Sequence, residues 1–376
     1  MRLTHFLHAG LLGAVLGAAA GSDAADLSPA IERLAAASGA SSASPDLQQA
    51  WRRVAAGDPQ RMTDVLAAMD APSATAQNWL RTAADAMAER ALESGDGFPE
   101  AELQQFLFNP DQPPRGRRAA YEWLVENRPE LKAELLPKLL NDQSVELRYD
   151  AVAALMDKAE AASGGEQREL YEQAFASALN LKQLQKCAER LGELGDKPDI
   201  VEAMGFIADW KIIGPFDNVD GVGFDKAYPP EERVQLDATY PGKNGVVAWQ
   251  DAEAEGALGE VDLTEPLGPE KGATAYLYAT FDSPAAVPAQ VRYASSNATK
   301  LWVNGDELAS NQVYHAGNPL DQFRCPVELR EGENTILVKV CQNEQTEGWA
   351  QAWDLQLRIT DPIGKALLPA TKGGEQ

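Results

Sequence analysis

The spacing of apolar positions along the chain changes once, near residue 205. From about residue 27 to residue 205, apolar side chains recur every three to four positions, which predicts amphipathic helices. After residue 205, apolar and polar residues alternate, which is the spacing of half-buried strands. The sequence therefore predicts an α plus β chain, with a helical part followed by an antiparallel β-sheet part.

The clearest helix pair lies in residues 134 to 158. Two apolar stripes are separated there by a polar turn at 141 to 144, and the second stripe opens a new helix. This pair resembles a HEAT repeat, whose turn aspartate and second-helix arginine would be Asp142 and Arg148. The surrounding units share its size but not its residues, so tetratricopeptide-like pairs remain an alternative. Both alternatives predict an α-helical repeat solenoid.

Short strand-like segments separated by Gly, Pro and Asn turns fill the second part of the chain. Segments of this length and spacing predict an antiparallel β-sandwich. The predicted strands cover residues 246–252, 273–283, 287–296, 299–305, 321–329, 334–342 and 353–360.

Residues 270 to 361 carry a series of turns and strands that resembles a known fold. An aromatic-hydrophobic-Asn-Gly turn, a Gly-Glu-Asn turn, a Leu-Val-Lys-Val strand and a last strand with tryptophan are similar to the galactose-binding-like jelly roll, as in the sugar-binding domain of family 2 glycoside hydrolases and in accessory domains of exported bacterial proteins. The resemblance implies a jelly-roll fold and a possible carbohydrate ligand. Where that family often has acidic residues, this chain has Ser295-Ser296-Asn297, which argues against a metal at that loop. The matching residues are Trp302, Asn304, Gly305, Gly332, Asn334, Lys339 and Trp353.

The stretch DWKIIGPFDNVDGVGFDKAYPPEE, residues 209 to 232, separates the two patterns. It does not fit a phosphate-binding loop, because Lys226 stands where the third glycine of G-x-G-x-x-G belongs. It does not fit an EF-hand, because alignment on Gly221 puts Phe216 at the first ligand position. A looser structural calcium site remains an alternative, with Asp217, Asn218, Asp220 and Asp225 as its ligands.

The favoured interpretation of this stretch is a junction over residues 206–245, since Gly214-Pro215 ends a short strand and later prolines fix an extended path. The stretch resembles a linker of exported bacterial proteins that joins helical repeats to such a sandwich. That resemblance implies an interdomain interface packed by aromatic side chains, namely Trp210, Phe216, Phe224 and Tyr228.

The N-terminus predicts export. Arg2 precedes an apolar run from Ala9 to Ala20 and then small residues, the pattern of a secretory signal peptide ending near Ala24. The run is too short for a retained membrane span, and no later apolar run reaches the required length. We therefore expect a periplasmic or extracellular protein with no transmembrane segment after cleavage.

Charge and cysteine content restrict the partners and the cross-links. The formal net charge of -24 repels nucleic acid and other anionic polymers. Of the three cysteines, Cys325 and Cys341 lie on neighbouring predicted strands. Period-two alternation puts them on opposite faces, which favours free thiols over a disulfide.

The residue inventory favours a binding protein over an enzyme. Once His5 and His8 leave with the signal peptide, His315 is the only histidine, which excludes multi-histidine metal chemistry. No Gly-x-Ser-x-Gly elbow is present. We therefore expect no enzymatic activity and no cofactor, with a carboxylate-dependent glycoside hydrolase as an alternative, since acidic residues are abundant.

A carbohydrate site needs a flat aromatic face together with amide or carboxylate groups for the sugar hydroxyls. Trp349 lies just before the last strand, where a loop tip would expose it, and its exposure would favour carbohydrate binding. The candidate ligand-binding residues are Trp349, Tyr314, His315, Asn318, Asp321 and Gln351.

The sequence therefore predicts a non-catalytic exported binding or scaffold protein. In this hypothesis the sandwich binds carbohydrate or an envelope polymer and the solenoid binds a protein partner; a purely structural protein-interaction adaptor is the alternative. The predicted segments are a signal peptide at 1–24, a helical repeat domain at 27–205, a junction loop at 206–245, a β-sandwich at 246–361 and a flexible tail at 362–376.

Overall fold

The computed structural model describes residues 26–39, 44–95, 97–256 and 258–370. The predicted signal peptide and the last six residues of the predicted tail lie outside the described residues. Among the described residues, no helix combines the length and apolar character needed to span a lipid bilayer. The chain divides into two compact units, residues 1–132 and 133–376.

The first unit is helical. Proline stands in the first turn of α1, α2 and α6, where its missing N–H costs no hydrogen bond. The Ser73 hydroxyl accepts from the Ala76 amide at 3.0 Å and caps the longest helix, α4. The helices are α1 (Ser28–Ala35), α2 (Pro45–Ala55), α3 (Met62–Ala67), α4 (Ala74–Ser94), α5 (Glu100–Phe108) and α6 (Pro114–Asn127), and α7 (Leu131–Leu135) spans the boundary.

The second unit begins with further helices and contains every strand found in the described residues. Side chains of Ser144, Asn180 and Asp199 cap three of these helices. The helices are α8 (Val145–Ala161), α9 (Gly164–Ser177), α10 (Leu181–Glu193), α11 (Ile200–Met204), α12 (Val222–Asp225), α13 (Pro229–Glu232) and α14 (Thr264–Leu267).

The strands form two antiparallel sheets and a small hairpin. The larger sheet has the order β4-β1-β6-β11-β8-β9, the smaller sheet has the order β10-β7-β12-β5, and β2 pairs with β3. The strands are β1 (Asp209–Asp217), β2 (Thr239–Pro241), β3 (Val246–Ala248), β4 (Gln250–Glu253), β5 (Glu260–Asp262), β6 (Ala273–Ser283), β7 (Val287–Ala294), β8 (Ala298–Val303), β9 (Asp306–Asn311), β10 (Phe323–Leu329), β11 (Gly332–Gln342) and β12 (Asp354–Thr360).

One hydrophobic core lies between the two sheets, as in a β-sandwich. Leu277 and Val338 from the larger sheet and Leu357 from the smaller sheet are buried in it. The alternation that predicted these strands also predicted the cysteine faces: Cys325 lies in this core, and Cys341 packs on the opposite face of its sheet. Both thiols are free and buried.

The predicted junction loop contains β1, which does not end at Gly214-Pro215 as predicted but continues to Asp217 as an interior strand. β1 pairs with β4 on one side and with β6 on the other, so it belongs to the larger sheet. Its Trp210 lies in the sandwich core. Phe216 and Tyr228 stack at 4.7 Å between ring centroids, and Phe224 packs beside Cys341 on that sheet's outer face. The prediction of an aromatic interdomain layer was wrong, because Trp210 lies inside the sandwich and the other three rings pack on the outer face of its larger sheet.

The described part of the predicted flexible tail is bonded to the sandwich. The Leu367 amide donates to the Ile359 carbonyl at 3.0 Å, and the Ala370 amide donates to the Asp282 carbonyl at 2.7 Å. These backbone bonds hold the segment against β12 and the end of β6, which periodicity alone could not reveal.

Helix α11 is tied directly to the sandwich. The Ile359 amide donates to the Gly205 carbonyl at 2.9 Å, and the Ile207 amide donates to the Leu357 carbonyl at 3.0 Å. The chain leaving α11 thus extends the smaller sheet beside β12. This continuity places helices α8 to α11 in the same compact unit as the strands, whereas the sequence pattern placed a boundary near residue 205.

Candidate functional site

The loops that carry the predicted ligand residues gather at one end of the sandwich. Asp217 at the end of β1 pairs with Ala273 at the start of β6, which pairs with Gln342 at the end of β11. Because neighbouring strands are antiparallel, the chain enters or leaves all of them at this edge. We call this edge the loop end; it comprises residues 218–229, 263–272, 295–297, 312–322 and 343–353.

Trp349 presents an exposed aromatic face at the loop end. It lies in a short 3-10 turn, Gly348–Ala350, and is 64% exposed. The His315 ring stands perpendicular to the indole, with 5.0 Å between centroids. His315 is itself held by Asn343, whose Oδ1 lies 3.0 Å from Nε2, and by its own amide, which donates to the Ser296 carbonyl at 2.6 Å. A neighbouring loop thus positions the exposed ring.

Tyr314 is partly committed to packing. Its hydroxyl accepts from Asn218 Nδ2 at 3.3 Å, and its ring packs against Phe224 and Cys341. Burial raises the pKa of the Tyr314 hydroxyl. Tyr314 therefore supports the loop end from within, beside His315.

A cluster of polar side chains joins several loops at their base. Asn318 Nδ2 donates to Glu260 Oε1 at 2.6 Å and to Asp354 Oδ2 at 3.2 Å. Asp354 Oδ1 also accepts from the Ser296 amide at 2.8 Å, and its Oδ2 accepts from the Ser296 hydroxyl at 3.1 Å. Asp354 is the first residue of β12, so these bonds connect that strand with the 295–297 and 312–322 loops.

The Asp354 carboxyl has a shifted protonation equilibrium. Burial raises its pKa to about 6, and the nearby Glu260 carboxylate adds to the increase, while the hydrogen bonds from Ser296 oppose it. Asp354 is only 6% exposed, so removal of its charge from water dominates. The group changes charge just below neutral pH.

An acidic cleft of about 530 Å³ lies beside this cluster. Gln351 lines the cleft and is held there by its Nε2, which donates to the Thr346 and Glu347 carbonyls at 2.7 and 2.8 Å. The negative lining disfavours an anionic ligand. The acidic lining residues are Glu255, Glu260, Asp262 and Asp354.

Asp321, which the sequence predicted as a ligand residue, is instead the centre of a buried ion-pair cluster. Its carboxylate accepts from Arg292 Nη1 at 2.8 Å and from Arg358 Nε at 2.7 Å, and its side chain is 7% exposed. Burial alone would raise the pKa of Asp321, but the bonds and charges of Arg358 and Arg292 outweigh it and lower the pKa. This side chain has no free oxygen for a sugar.

The predicted calcium ligands do not form one site. Asn218 is fully buried, and its Nδ2 donates to the Gln342 carbonyl at 3.0 Å. Asp217 Oδ1 accepts from the Val219 amide at 3.1 Å, and the Asp225 side chain is 86% exposed. In the part of the chain that the structure describes, no group of three or more His, Cys, Asp or Glu side chains is arranged to hold a metal ion.

Sequence reasoning missed Glu260 and Asp354. The sequence drew attention to Ser295-Ser296-Asn297 because the resembling family often has acids there. In the structure, an acid does lie at this loop, but Asp354 supplies it from the start of the last strand. The only sequence signal was that an acidic residue follows Trp353 at the start of the predicted last strand. This position does not reveal which loop the acid contacts.

Comparisons with known proteins show limited similarity. No protein-family model matches the chain, and no curated protein matches it. Among solved structures, it is similar to a family 35 carbohydrate binding module from Clostridium thermocellum, with 12% identity, a TM-score of 0.18, and 23% of this chain and 71% of that chain covered.

Two further solved structures are similar at the same level. A family 35 carbohydrate binding module from an environmental isolate is 18% identical with a TM-score of 0.18, covering 26% of this chain and 71% of that one. A beta-glucuronidase from an uncultured Clostridium species is 12% identical with a TM-score of 0.24, covering 42% of this chain and 29% of that one. Similarities at these TM-scores do not indicate the function of this chain.

Proposed function

We propose that this protein is a non-catalytic exported binding protein whose loop end binds a neutral carbohydrate. The observation that supports this most directly is the 64% exposed Trp349, an indole held at a loop tip by the perpendicular ring of His315. An exposed indole offers a flat apolar face that a ligand can cover, and sugar C–H faces pack well on such aromatic rings.

Polar groups around the indole provide partners for sugar hydroxyls. Gln351, on the same loop as Trp349, keeps its amide oxygen for a hydroxyl, since its Nε2 is the atom bonded within the loop. His315 adds its second ring nitrogen, Nδ1, because Nε2 bonds Asn343. The acidic cleft beside them and the net charge of -24 favour a neutral glycan over an anionic envelope polymer.

The finer features of the fold belong to the same proposal. We infer that the sandwich is a galactose-binding-like jelly roll and that the helices are HEAT-like or tetratricopeptide-like pairs that bind a protein partner. The turn before α8 supports the helical part, since Asp142 Oδ1 accepts from the Ser144 amide at 2.7 Å and Arg148 Nε donates to the Ser177 carbonyl in the next helix pair at 2.6 Å.

The test is a binding screen of the full chain against neutral glycans by isothermal titration calorimetry. Saturable binding is expected, and Trp349→Ala should weaken it at least tenfold, about 1.4 kcal/mol, because the stacking face is removed. Trp349→Phe should retain part of the affinity. Val246→Ala is the matched control, since Val246 is an apolar residue, 77% exposed, on the β2–β3 hairpin, outside the loop end.

The outcomes separate the alternatives. An unchanged affinity in the Trp349→Ala variant would contradict the proposed site. Loss of binding in EDTA would support the calcium hypothesis. The absence of binding to any glycan would favour the structural adaptor, whose partners would then be sought among proteins.

A carboxylate-dependent glycoside hydrolase is the second candidate. Glu260 and Asp354 line one cleft, and burial raises the pKa of Asp354 to about 6, as a general acid requires. Against it, Asn318 donates to both carboxylates and so occupies the position between them. Release of product from aryl glycosides, lost in both Glu260→Gln and Asp354→Asn, would establish this activity; we expect none.

A further inference from the structure

Arg148 is a buried cation without a counter-charge in contact. It lies on α8 and is 4% exposed, and its Nε donates to the Ser177 carbonyl at 2.6 Å. Among the described residues it forms no ion pair, whereas the buried Arg292 and Arg358 both bond Asp321. A guanidinium has five N–H donors, so most of those on Arg148 are left for another partner.

The electrostatic setting of Arg148 favours an additional anion. Burial lowers the pKa of Arg148, and the carboxylates of Asp361 and Asp142 oppose this only from a distance. A buried charge that is not paired and hydrogen-bonded is unfavourable, and a bound anion would remove that cost.

Arg148 forms one wall of a cavity of about 190 Å³ in the second unit. The cavity lies between α8, the end of α9, α11 and the segment after β12. Two charged residues, Glu202 and Lys365, also line it, and both are exposed. The remaining walls are largely apolar, formed mainly by Phe175, Leu179, Met204, Ala366 and Leu368.

The volume of the cavity limits the size of its ligand. A water molecule occupies roughly 30 Å³ in the liquid, so this cavity holds about six non-hydrogen atoms. Arg148 is the buried charge of this lining, whereas Glu202 and Lys365 are exposed, and it faces apolar walls. This arrangement matches a molecule with one anionic end and a short apolar body. Carboxylates suit the planar guanidinium because they accept two parallel hydrogen bonds.

We propose that the Arg148 cavity binds a small organic carboxylate with a short apolar chain. The carboxylate bonds the guanidinium of Arg148, and the chain packs against Phe175, Leu179 and Met204. This site lies on the helices and the chain end, and it is independent of the loop end and of glycan binding.

Ligand binding at this cavity would stiffen the contact between α11 and the sandwich. Met204 and Gly364 both line the cavity, and their carbonyls accept from Arg358 Nη1 at 3.1 and 3.4 Å. A carboxylate in the cavity therefore rests on two segments that Arg358 already joins.

The test uses isobutyrate as the probe and its neutral isostere isobutanol as the comparison, with the full chain. Isothermal titration calorimetry should show saturable isobutyrate binding, and thermal unfolding should shift to higher temperature as isobutyrate is added. Isobutanol should bind at least tenfold more weakly, because it cannot pair with the guanidinium.

Two variants and one control locate the site. Arg148→Met should reduce isobutyrate affinity at least tenfold, and Ala366→Phe should do the same by filling the cavity while leaving Arg148 in place. Lys365→Met, which removes an exposed cation beside the cavity, should change affinity less than threefold. If Arg148→Met does not fold, Ala366→Phe decides the result.

Three results would overturn the proposal. They are the absence of isobutyrate binding at 10 mM, equal affinity for isobutanol, and full affinity in the cavity-filling variant. None of them affects glycan binding at Trp349, so the two sites are tested separately.

Discussion

Asp354 shows how one side chain organises the loop end. Its two oxygens accept hydrogen bonds from Ser296 and Asn318, which belong to different loops. Burial raises its pKa to about 6, above the usual value of 3.8. The folded protein therefore binds this proton more tightly than the unfolded chain does.

The raised pKa of Asp354 predicts a pH dependence of stability. The contribution is fully present below the unfolded pKa of 3.8 and is lost as the pH rises through the folded pKa of about 6. Between pH 7.5 and pH 5, this one group should increase the free energy of unfolding by about 1 kcal/mol. Urea unfolding at both pH values measures it.

The effect is isolated by comparing variants. Asp354→Asn should lose this increment, whereas Asp306→Asn, which changes an exposed acid at the start of β9, should keep it. An identical pH dependence in wild type and Asp354→Asn would contradict the assignment. The lowered pKa of Asp321 acts in the opposite direction only at more acidic pH, outside this window.

At the scale of elements, Lys339 fixes the segment that follows β1. Lys339 lies on the outer face of β11 and is fully buried. Its Nζ donates to the Phe224 carbonyl at 3.0 Å, the Lys226 carbonyl at 2.9 Å and Glu231 Oε1 at 2.8 Å. The segment of residues 218–232, which includes the short helices α12 and α13, is therefore held against the outer face of the larger sheet.

Lys339→Met should destabilise the protein by about 3 kcal/mol, because it leaves Glu231 and two carbonyls without their shared donor. Lys300→Met is the matched control. Lys300 is the cross-strand partner of Lys339, but its nearest carboxylate, that of Asp225, is 3.9 Å away and exposed. The control should cost less than about 1 kcal/mol. Equal losses in urea unfolding would show that the buried bonds are not responsible.

At the scale of the whole molecule, the second compact unit contains residues on both sides of position 205, where the sequence pattern changes from helical to strand-like. Arg358 of β12 pairs with Asp321 and also donates to the Met204 carbonyl of α11 at 3.1 Å. The helix end, a loop and the last strand thus share one buried ionic cluster. Helices α8 to α11 therefore form one compact unit with the sandwich.

Arg358→Met should destabilise the second unit by about 3 kcal/mol, because Asp321 would lose its main partner and the Met204 carbonyl its donor. Amide hydrogen exchange should rise in α11 and in β12. Arg324→Met removes another cation near Asp321, 3.9 Å away and 60% exposed, and should have an effect below about 0.5 kcal/mol. No increase of exchange in α11 would contradict the role of this cluster.

The position of the unit boundary predicts which fragment folds. A fragment of residues 133–370 retains the helix–strand bonds and should unfold cooperatively. A fragment of residues 206–370 loses the Met204 and Gly205 carbonyls and exposes apolar surface around Phe206, so its urea midpoint should be lower. Equal midpoints would show that the helices contribute nothing to the sandwich.

Much of the fold was predictable from the sequence, because it depends on local periodicity. The alternation at 273–283 and 334–342 predicted β6 and β11 closely, and the faces of Cys325 and Cys341 followed from it. The short strands β5 and β9 were not predicted, because three to six residues with little alternation do not differ from a loop.

The candidate site was predictable only in part. The exposed Trp349 was singled out from its place before the last strand, whereas Asp321 was interpreted as a ligand residue although it pairs with arginines distant in sequence. Glu260 and Asp354 were missed for the same reason, since their shared partner Asn318 lies on another loop.

The sequence by itself determined the order of helices and strands, the faces of the strands and the acidic charge, because each follows from local periodicity or composition. Only the tertiary structure decided which polar side chains are free and which are used internally. Asp321 is paired with arginines, Asn218 is buried with its amide nitrogen bonded, the pKa of Asp354 is raised, and Arg148 is buried without a counter-charge in contact. The physical reason is that burial and pairing depend on residues far apart in the chain, which meet only when the sheets and helices pack.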